Sequence, residues 1–210
     1  AGDVVSAVKP LKVAYMMSRF PKLTETFILY EILAVEQQGV AVDLYPLLRE
    51  KTEVMHPEAF PLVERAHFQP FISGAIARAN LRFFGRKPLV YLRTLWDLLR
   101  HTFGSVRFFV GAVGIFPKSV YFAQMMSDAG IDHIHAHFAS HPAAAAFVIH
   151  RLTGIPYSFT AHGSDLHRDR HMLREKTAEA AFVVAISNFN REIIVRESGE
   201  AARPRVLIVH

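Results

Sequence analysis

The sequence predicts a single α/β domain: a doubly wound parallel sheet carrying a basic helical insertion. Apolar runs of strand length alternate with segments of helical periodicity, the order that places parallel strands between covering helices. At 210 residues, 51% apolar and 20% charged, the chain can bury one sizeable core and is too apolar to be disordered. Polar residues gather at the ends of several runs, most densely between His133 and Asp165, and ligands bind at the carboxyl ends of parallel strands.

Residues 1–10 read as a disordered leader or tag ahead of a domain spanning 11–210. Leu11–Met17 is a buried first strand, and Ser18–Leu23, with Pro21, is the loop that ends it. Thr24 suits an N-cap, Glu25 suits the first turn, and Phe27, Ile28, Ile32 and Val35 give a helical stripe that Gly39 stops. Val40–Leu47 is a second strand, which completes a βαβ unit with a right-handed crossover. Arg49–Phe60 reads as a loop and Val63–Phe68 as an edge strand. From Phe71 the pattern is helical, punctuated at Gly85, Pro88, Gly104 and Pro117. Leu89, Leu92, Leu95, Trp96 and Leu99 form one apolar face of it, and a separate helix starts at Pro117 and stops at Gly130.

Asp132–Phe138 alternates as a strand, with His133, His135 and His137 on one face and Ile134, Ala136 and Phe138 on the other. A helix from Pro142 to Leu152, closed by Gly154, leads to a strand at Pro156–Thr160 and the loop Ala161–Asp165. Arg168–Ala180 is a basic helix and Phe182–Ile186 a strand. Ser187 caps a helix reaching about Ser198, and Arg205–His210 is a last strand.

The absence of cysteine excludes thiol catalysis, disulfides and thiolate metal sites, and fits a reducing compartment. No uninterrupted apolar run reaches the roughly 18 residues of a membrane span. The first βα loop has no glycine, which counts against a dinucleotide-binding fingerprint. The net charge of +5 is uneven: Arg65–Lys118 holds nine Lys or Arg and one acid, Asp97. Arg82, Arg86, Lys87, Arg93, Arg100 and Arg107 interleave there with aromatic residues including Trp96. That composition suits an anionic membrane surface, or a packed helical insertion with solvated arginines. Nucleic acid is disfavoured, because neither a helix-turn-helix pattern nor an aromatic RNA-binding strand accompanies the charge.

Thr160–Asp165 is the strongest candidate site. Gly163 permits close backbone approach, His162 exchanges protons near neutral pH, and Asp165 orients an imidazole, accepts a sugar hydroxyl, or simply caps the next helix. His137 stands at a strand end beside the small residues Ala139 and Ser140. Arg19 and Lys22, near the helix start at Thr24, make a candidate anion site. The i, i+2 spacing of the strand histidines permits a shared metal, with His162 as third ligand. No acidic ligand lies at the expected spacing, so no metal is assigned and the strand histidines are expected to meet polar neighbours instead.

Three stretches, in order, resemble the amino-terminal half of the family 4 (group 1) glycosyltransferases of GT-B fold: VAYMMSRFPKLTETFILYEI, HIHAHFASHPAAAA with TGIPYSFTAHGSDL, and VVAISNFNRE. The resemblance implies a Rossmann-like acceptor domain, one half of a GT-B fold, in a retaining enzyme that transfers sugar from a nucleotide-sugar to a glycan or lipid-linked acceptor. It places His162 and Asp165 at the catalytic centre, with His137 and Gly163 close by. Arg19, Lys22 and Thr24 would face the donor phosphates or the acceptor, and Ser187 and Asn190 would line the cleft. The nucleotide-sugar would be held by a carboxyl-terminal domain absent from these 210 residues. The domain is therefore expected to bind no cofactor, to be inactive alone, and to be cytoplasmic, peripheral on the inner face of a membrane. A different class of function, a non-catalytic membrane-binding module, would use the basic helices alone.

Overall fold

The computed structural model describes residues 9–22, 24–51 and 55–209. The leader at 1–8, Leu23, the loop residues 52–54 and His210 lie outside the described residues. Six strands form one wholly parallel sheet: β1 (Lys12–Phe20), β2 (Ala41–Arg49), β3 (His133–His137), β4 (Tyr157–Ala161), β5 (Phe182–Ala185) and β6 (Val206–Ile208), in spatial order β2-β1-β3-β4-β5-β6. Nine helices join them among the described residues: α1 (Thr26–Gln37), α2 (Phe60–Arg65), α3 (Gly74–Arg86), α4 (Pro88–Thr102), α5 (Val106–Ala129), α6 (His141–Thr153), α7 (Gly163–Arg168), α8 (Leu173–Glu179) and α9 (Asn188–Ser198).

Strand order dictates the layers. The step from β1 to β2 runs one way along the sheet and every later step runs the other way, so right-handed crossovers place α1 on one face and α5 to α9 on the other. The smaller core joins Val13, Tyr15 and Met17 of β1 to Ile28 and Ile32 of α1 and Leu62 of α2. The larger joins Met16, Ile134, Ala136 and Phe159 to the undersides of α5 and α6. Ala143–Ala146 of α6 are all buried, and their small side chains let this helix lie close to both the sheet and α5. The connections diverge between β1 and β3, which opens a crevice at their carboxyl ends.

Several sequence expectations are corrected. The first strand does not end before Ser18: β1 runs to Phe20, because Arg19 and Phe20 pair in register with Leu48 and Arg49 of β2. Thr24 is not the cap of α1; Glu25 occupies that position without a side-chain cap bond, and Thr24 is exposed. Residues 63–68 form no edge strand, since Phe60–Arg65 is helical and only His67 N–H reaches the sheet, bonding Leu44 O at 2.8 Å. Pro117 starts no helix but lies inside α5. The helix continues through it under the cover of α3, whose Asn80 Nδ2 donates to Pro117 O at 3.0 Å. The basic helix expected at 168–180 is broken between α7 and α8 at Met172, whose φ is 61°.

Helix α5 is long and apolar enough to cross a membrane, although half of it is buried inside the domain. The apolar face expected for α4 is packed only in part, with Leu95 against the core and Leu99 half-buried. Thr94, Leu98 and Thr102 pack inward, whereas Leu89 is 82% and Trp96 63% exposed. Arg151 fixes this orientation by bonding Asp97 of α4 at 2.6 Å and Glu179 of α8 while stacking on Phe147 at 4.6 Å.

Candidate active site

The crevice at the ends of β1, β3 and β4 collects most of the polar residues singled out from the sequence. His137 ends β3, is fully buried, and brings Nε2 to 3.4 Å from Glu31 Oε1 on α1. Tyr15 OH of β1 donates to the same oxygen at 3.0 Å, and His135 Nε2 lies 3.8 Å from it. His162 follows β4, with its ring against Phe27 at 4.9 Å and Phe138 at 4.8 Å, and 6.0 Å from the His137 ring. Phe138 reaches this face because its φ is 79°, which breaks the alternation expected of the strand.

The other strand histidines meet neighbouring hydroxyls, as the polar-neighbour reading expects. Ser158 Oγ lies 2.7 Å from His133 Nε2 and 2.8 Å from His135 Nδ1, while Thr160 Oγ1 lies 3.0 Å from His135 Nε2. Glu31, His135 and His137 nevertheless bring three ligand-type atoms within 4.8 Å of one another. The acidic member comes from α1, so strand spacing alone could not reveal it. Hydroxyls already engage both His135 nitrogens and Glu31 Oε1, which suits a hydrogen-bonded network better than a coordination sphere.

Asp165 ties two strand ends together. Its Oδ2 accepts from Ala139 N–H at 2.9 Å and from His162 N–H at 3.3 Å. Lys176 Nζ donates to the carbonyl of the same Ala139 at 2.5 Å, so the peptide groups on both sides of this residue are held. Gly163 opens α7, and Ser187 and Asn190 sit together at the end of β5, where Ser187 Oγ accepts from Asn190 N–H at 3.2 Å. Arg19, Lys22 and Asp165 line one cavity, whereas His137 is fully buried and His162, packed against Phe27 and Phe138, lies behind the cavity wall rather than in its lining. Ser187 caps α9 by accepting from the Asn190 backbone N–H, and neither of these residues nor Thr24 is in the lining of the cavity described next.

That cavity, of about 260 Å³, is lined by Ser18, Arg19, Lys22, Glu25, Arg107 and Asp165 among others. Arg19 pairs with Glu50 at 3.6 Å and Lys22 with Glu25 at 2.5 Å. Arg107, one of the cations expected at a membrane surface, is exposed and also borders this cavity. Arg82, Arg86 and Lys87, all exposed, border a hollow of about 300 Å³ at the opposite end of α5, and Arg93, Trp96 and Arg100 lie on the exposed side of α4.

Burial, reinforced by the neighbouring His137, lowers the His162 pKa to about 4, despite the opposing pull of Glu31. Burial lowers His135 to about 3. For Glu31 burial acts the other way, but its contacts with His137, His135 and Tyr15 outweigh it and hold the carboxyl at about 2. Burial raises Asp165, against its two backbone hydrogen bonds, and lowers Lys176 to about 8. At neutral pH His162 is thus a neutral imidazole near an ionised Glu31, and its buried Nε2 has no hydrogen-bond partner among the described residues. Sequence reasoning missed Glu31, Tyr15 and Lys176. Glu31 had one usable signal, its position one turn beyond Phe27 on the helix that leaves the first strand.

No protein-family model and no curated protein sequence matches the chain. Solved structures do. A glycosyltransferase from Rickettsia africae is 10% identical, with a TM-score of 0.51, over 97% of this chain and 43% of its own. A UDP-N-acetylglucosamine 2-epimerase from Neisseria meningitidis, bound to UDP-GlcNAc, is 11% identical with a TM-score of 0.51, over 94% of this chain and 46% of its own. Another from Rickettsia bellii is 8% identical with a TM-score of 0.51, over 95% and 44%. The chain spans less than half the length of each. At such identities the likeness concerns architecture, and in architecture this chain is one half of a GT-B fold.

Proposed function

We propose that this domain is the acceptor-binding half of a retaining glycosyltransferase that takes sugar from a nucleotide-sugar held by a second domain. The observation that carries the reading is the polar cavity at the divergence of β1 and β3, bordered by Arg19, Lys22 and Asp165. In this reading His162 hydrogen-bonds the sugar in transfer and Asp165 fixes the loops around it. Arg19 and Lys22 meet phosphate or acceptor oxygens. Thr24, Ser187 and Asn190 have no contact with the cavity that would give them such a role, and they enter only if the second domain closes over them.

The 210-residue chain, assayed with a panel of nucleotide-sugars and sugar acceptors, is expected to release no nucleotide. It is expected to bind an acceptor saturably, and His162→Ala to weaken that binding at least tenfold with native circular dichroism. Turnover by the chain alone would overturn the division of labour between domains.

A second reading, contact with an anionic membrane, is supported by the exposed side of α4. Leu89, Leu92 and Trp96 lie there with Arg93 and Arg100, and Phe103 is 77% exposed at its end. Exposed apolar side chains flanked by arginines are what an anionic interface attracts. Vesicles containing anionic lipid are expected to sediment the protein, and the triple change Leu89→Ser, Leu92→Ser, Trp96→Ser to reduce binding at least tenfold. Unchanged sedimentation of the variant would remove this reading. Peripheral attachment at a cytoplasmic membrane face would follow from it.

A further inference from the structure

A second cavity, of about 280 Å³, adjoins the polar one and differs from it in chemistry: Leu47, Leu48, Phe71, Val110 and Ile115 line it. Ser18 borders both cavities. Along α5 the lining passes from Arg107 and Phe108 in the polar cavity to Val110, Gly111 and Gly114 in the apolar one. At the start of α6 it passes from Ser140 to His141, and the stacked rings of Phe108 and His141, 4.9 Å apart, stand between the two.

The two glycines of α5 have different explanations. A Cβ on Gly111 would lie 1.9 Å from His141 Nε2, so packing requires glycine there. A Cβ on Gly114 would meet nothing within 4 Å. Glycine inside a helix costs about 1 kcal/mol relative to alanine, and no protein neighbour of Gly114 accounts for it. What its missing side chain does is keep the floor of the apolar groove open.

Charge gives the order of groups along a ligand. In the polar cavity Lys22 is paired with Glu25 and Arg19 with Glu50. Asp165 holds two backbone amides, and Asp169 accepts from Ser105 Oγ at 2.7 Å. Among the described residues, Arg107 has no carboxylate partner, and it stands one helical turn from Val110 at the junction of the cavities. We infer that the acceptor is an anionic amphiphile, with a hydroxyl-bearing head in the polar cavity, its anionic linkage at Arg107 and its apolar chain along the groove over Gly114. A free glycan would use the first cavity and leave the second as hydrated apolar surface. This assignment rests on the acceptor reading for the ligand's role in transfer, but the binding it requires is independent of transfer.

Decyl phosphate, kept below its micelle concentration, is the probe. It is expected to bind at least tenfold more tightly than either inorganic phosphate or decyl glucoside. Gly114→Leu, whose side chain would enter the groove, is expected to weaken decyl phosphate at least tenfold and leave inorganic phosphate unchanged. Arg107→Gln is expected to reduce decyl phosphate to the level of decyl glucoside. Val110→Gln provides the same groove test if the leucine variant fails to fold. Decyl phosphate binding no tighter than inorganic phosphate, or indifference to both groove variants, would overturn the assignment. Tight binding with these dependences but no sugar transfer, even with a donor domain supplied, would leave the ligand assignment and remove the transferase reading. Transfer to free glycans without amphiphile binding would do the reverse.

Discussion

Lys176→Ala is expected to lower the free energy of unfolding by about 4 kcal/mol, measured by urea denaturation at neutral pH. Lys176 is 1% exposed, and its ammonium donates to Ala139 O at 2.5 Å and His171 O at 3.2 Å while lying 5.6 Å from the Phe108 ring. The alanine variant removes a packed aliphatic stem and strands two carbonyls. Lys176→Met separates these effects, because it retains most of the volume and loses only the donors, at about 2 kcal/mol. A loss below about 1 kcal/mol in the alanine variant would show that the lysine does not hold the Ala139 turn. The same turn receives the Asp165 bond, so both variants should also loosen the acceptor binding proposed for this domain.

Acidification from pH 7 to 4 is expected to remove on the order of 4 kcal/mol of stability through the buried histidines, with carboxylates adding to the loss near pH 4. The folded-state pKa values of His162 and His135 are lowered from 6.5 to about 4 and about 3. As pH falls below 6.5 the unfolded chain therefore takes up protons first. Their contribution is complete above pH 6.5 and declines toward the folded values. His162 alone corresponds to about 3 kcal/mol, reduced here for its partial exposure, and His135 adds at least as much as the remainder. Glu31 acts in a later window: its pKa is lowered from 4.5 to about 2, so its contribution is present above pH 4.5 and lost below. Urea midpoints at pH 7, 5.5 and 4 test this, and His162→Gln should flatten the first decline. Equal midpoints at pH 7 and 4 would refute it.

The parallel sheet was legible because strand-length apolar runs and helical stripes report burial directly. The position of a residue was legible where it depends on its own strand or turn, as with His137 at the end of β3 and His162 and Gly163 at the start of α7. A contact was not legible where it depends on the opposite wall. Glu31 reaches His137 only because the crossover lays α1 over β1 and β3. Arg107 looked like a surface cation alone, yet the start of α5 also sets it at the border of the cavity. The direction of α4 was misread in part for a related reason: its most apolar stripe is only partly packed, since Arg151 and the underside of the helix set the angle. Thr24 looked like a cap on residue type alone, whereas extension of β1 to Phe20 moves the helix start to Thr26.

Phe138 shows how such a site would respond to selection for robustness alone. A non-glycine residue at φ 79° carries a backbone strain of about 1–2 kcal/mol. Glycine would relieve the strain but remove the ring that contacts Phe27 at 6.4 Å and His162 at 4.8 Å. A heat-challenge screen blind to ligand binding would therefore have a backbone reason to sample glycine at position 138, and a screen requiring the oriented imidazole would have a reason to keep the aromatic ring. Running both screens on one library separates the sequence constraints of folding from those of recognition at a single residue.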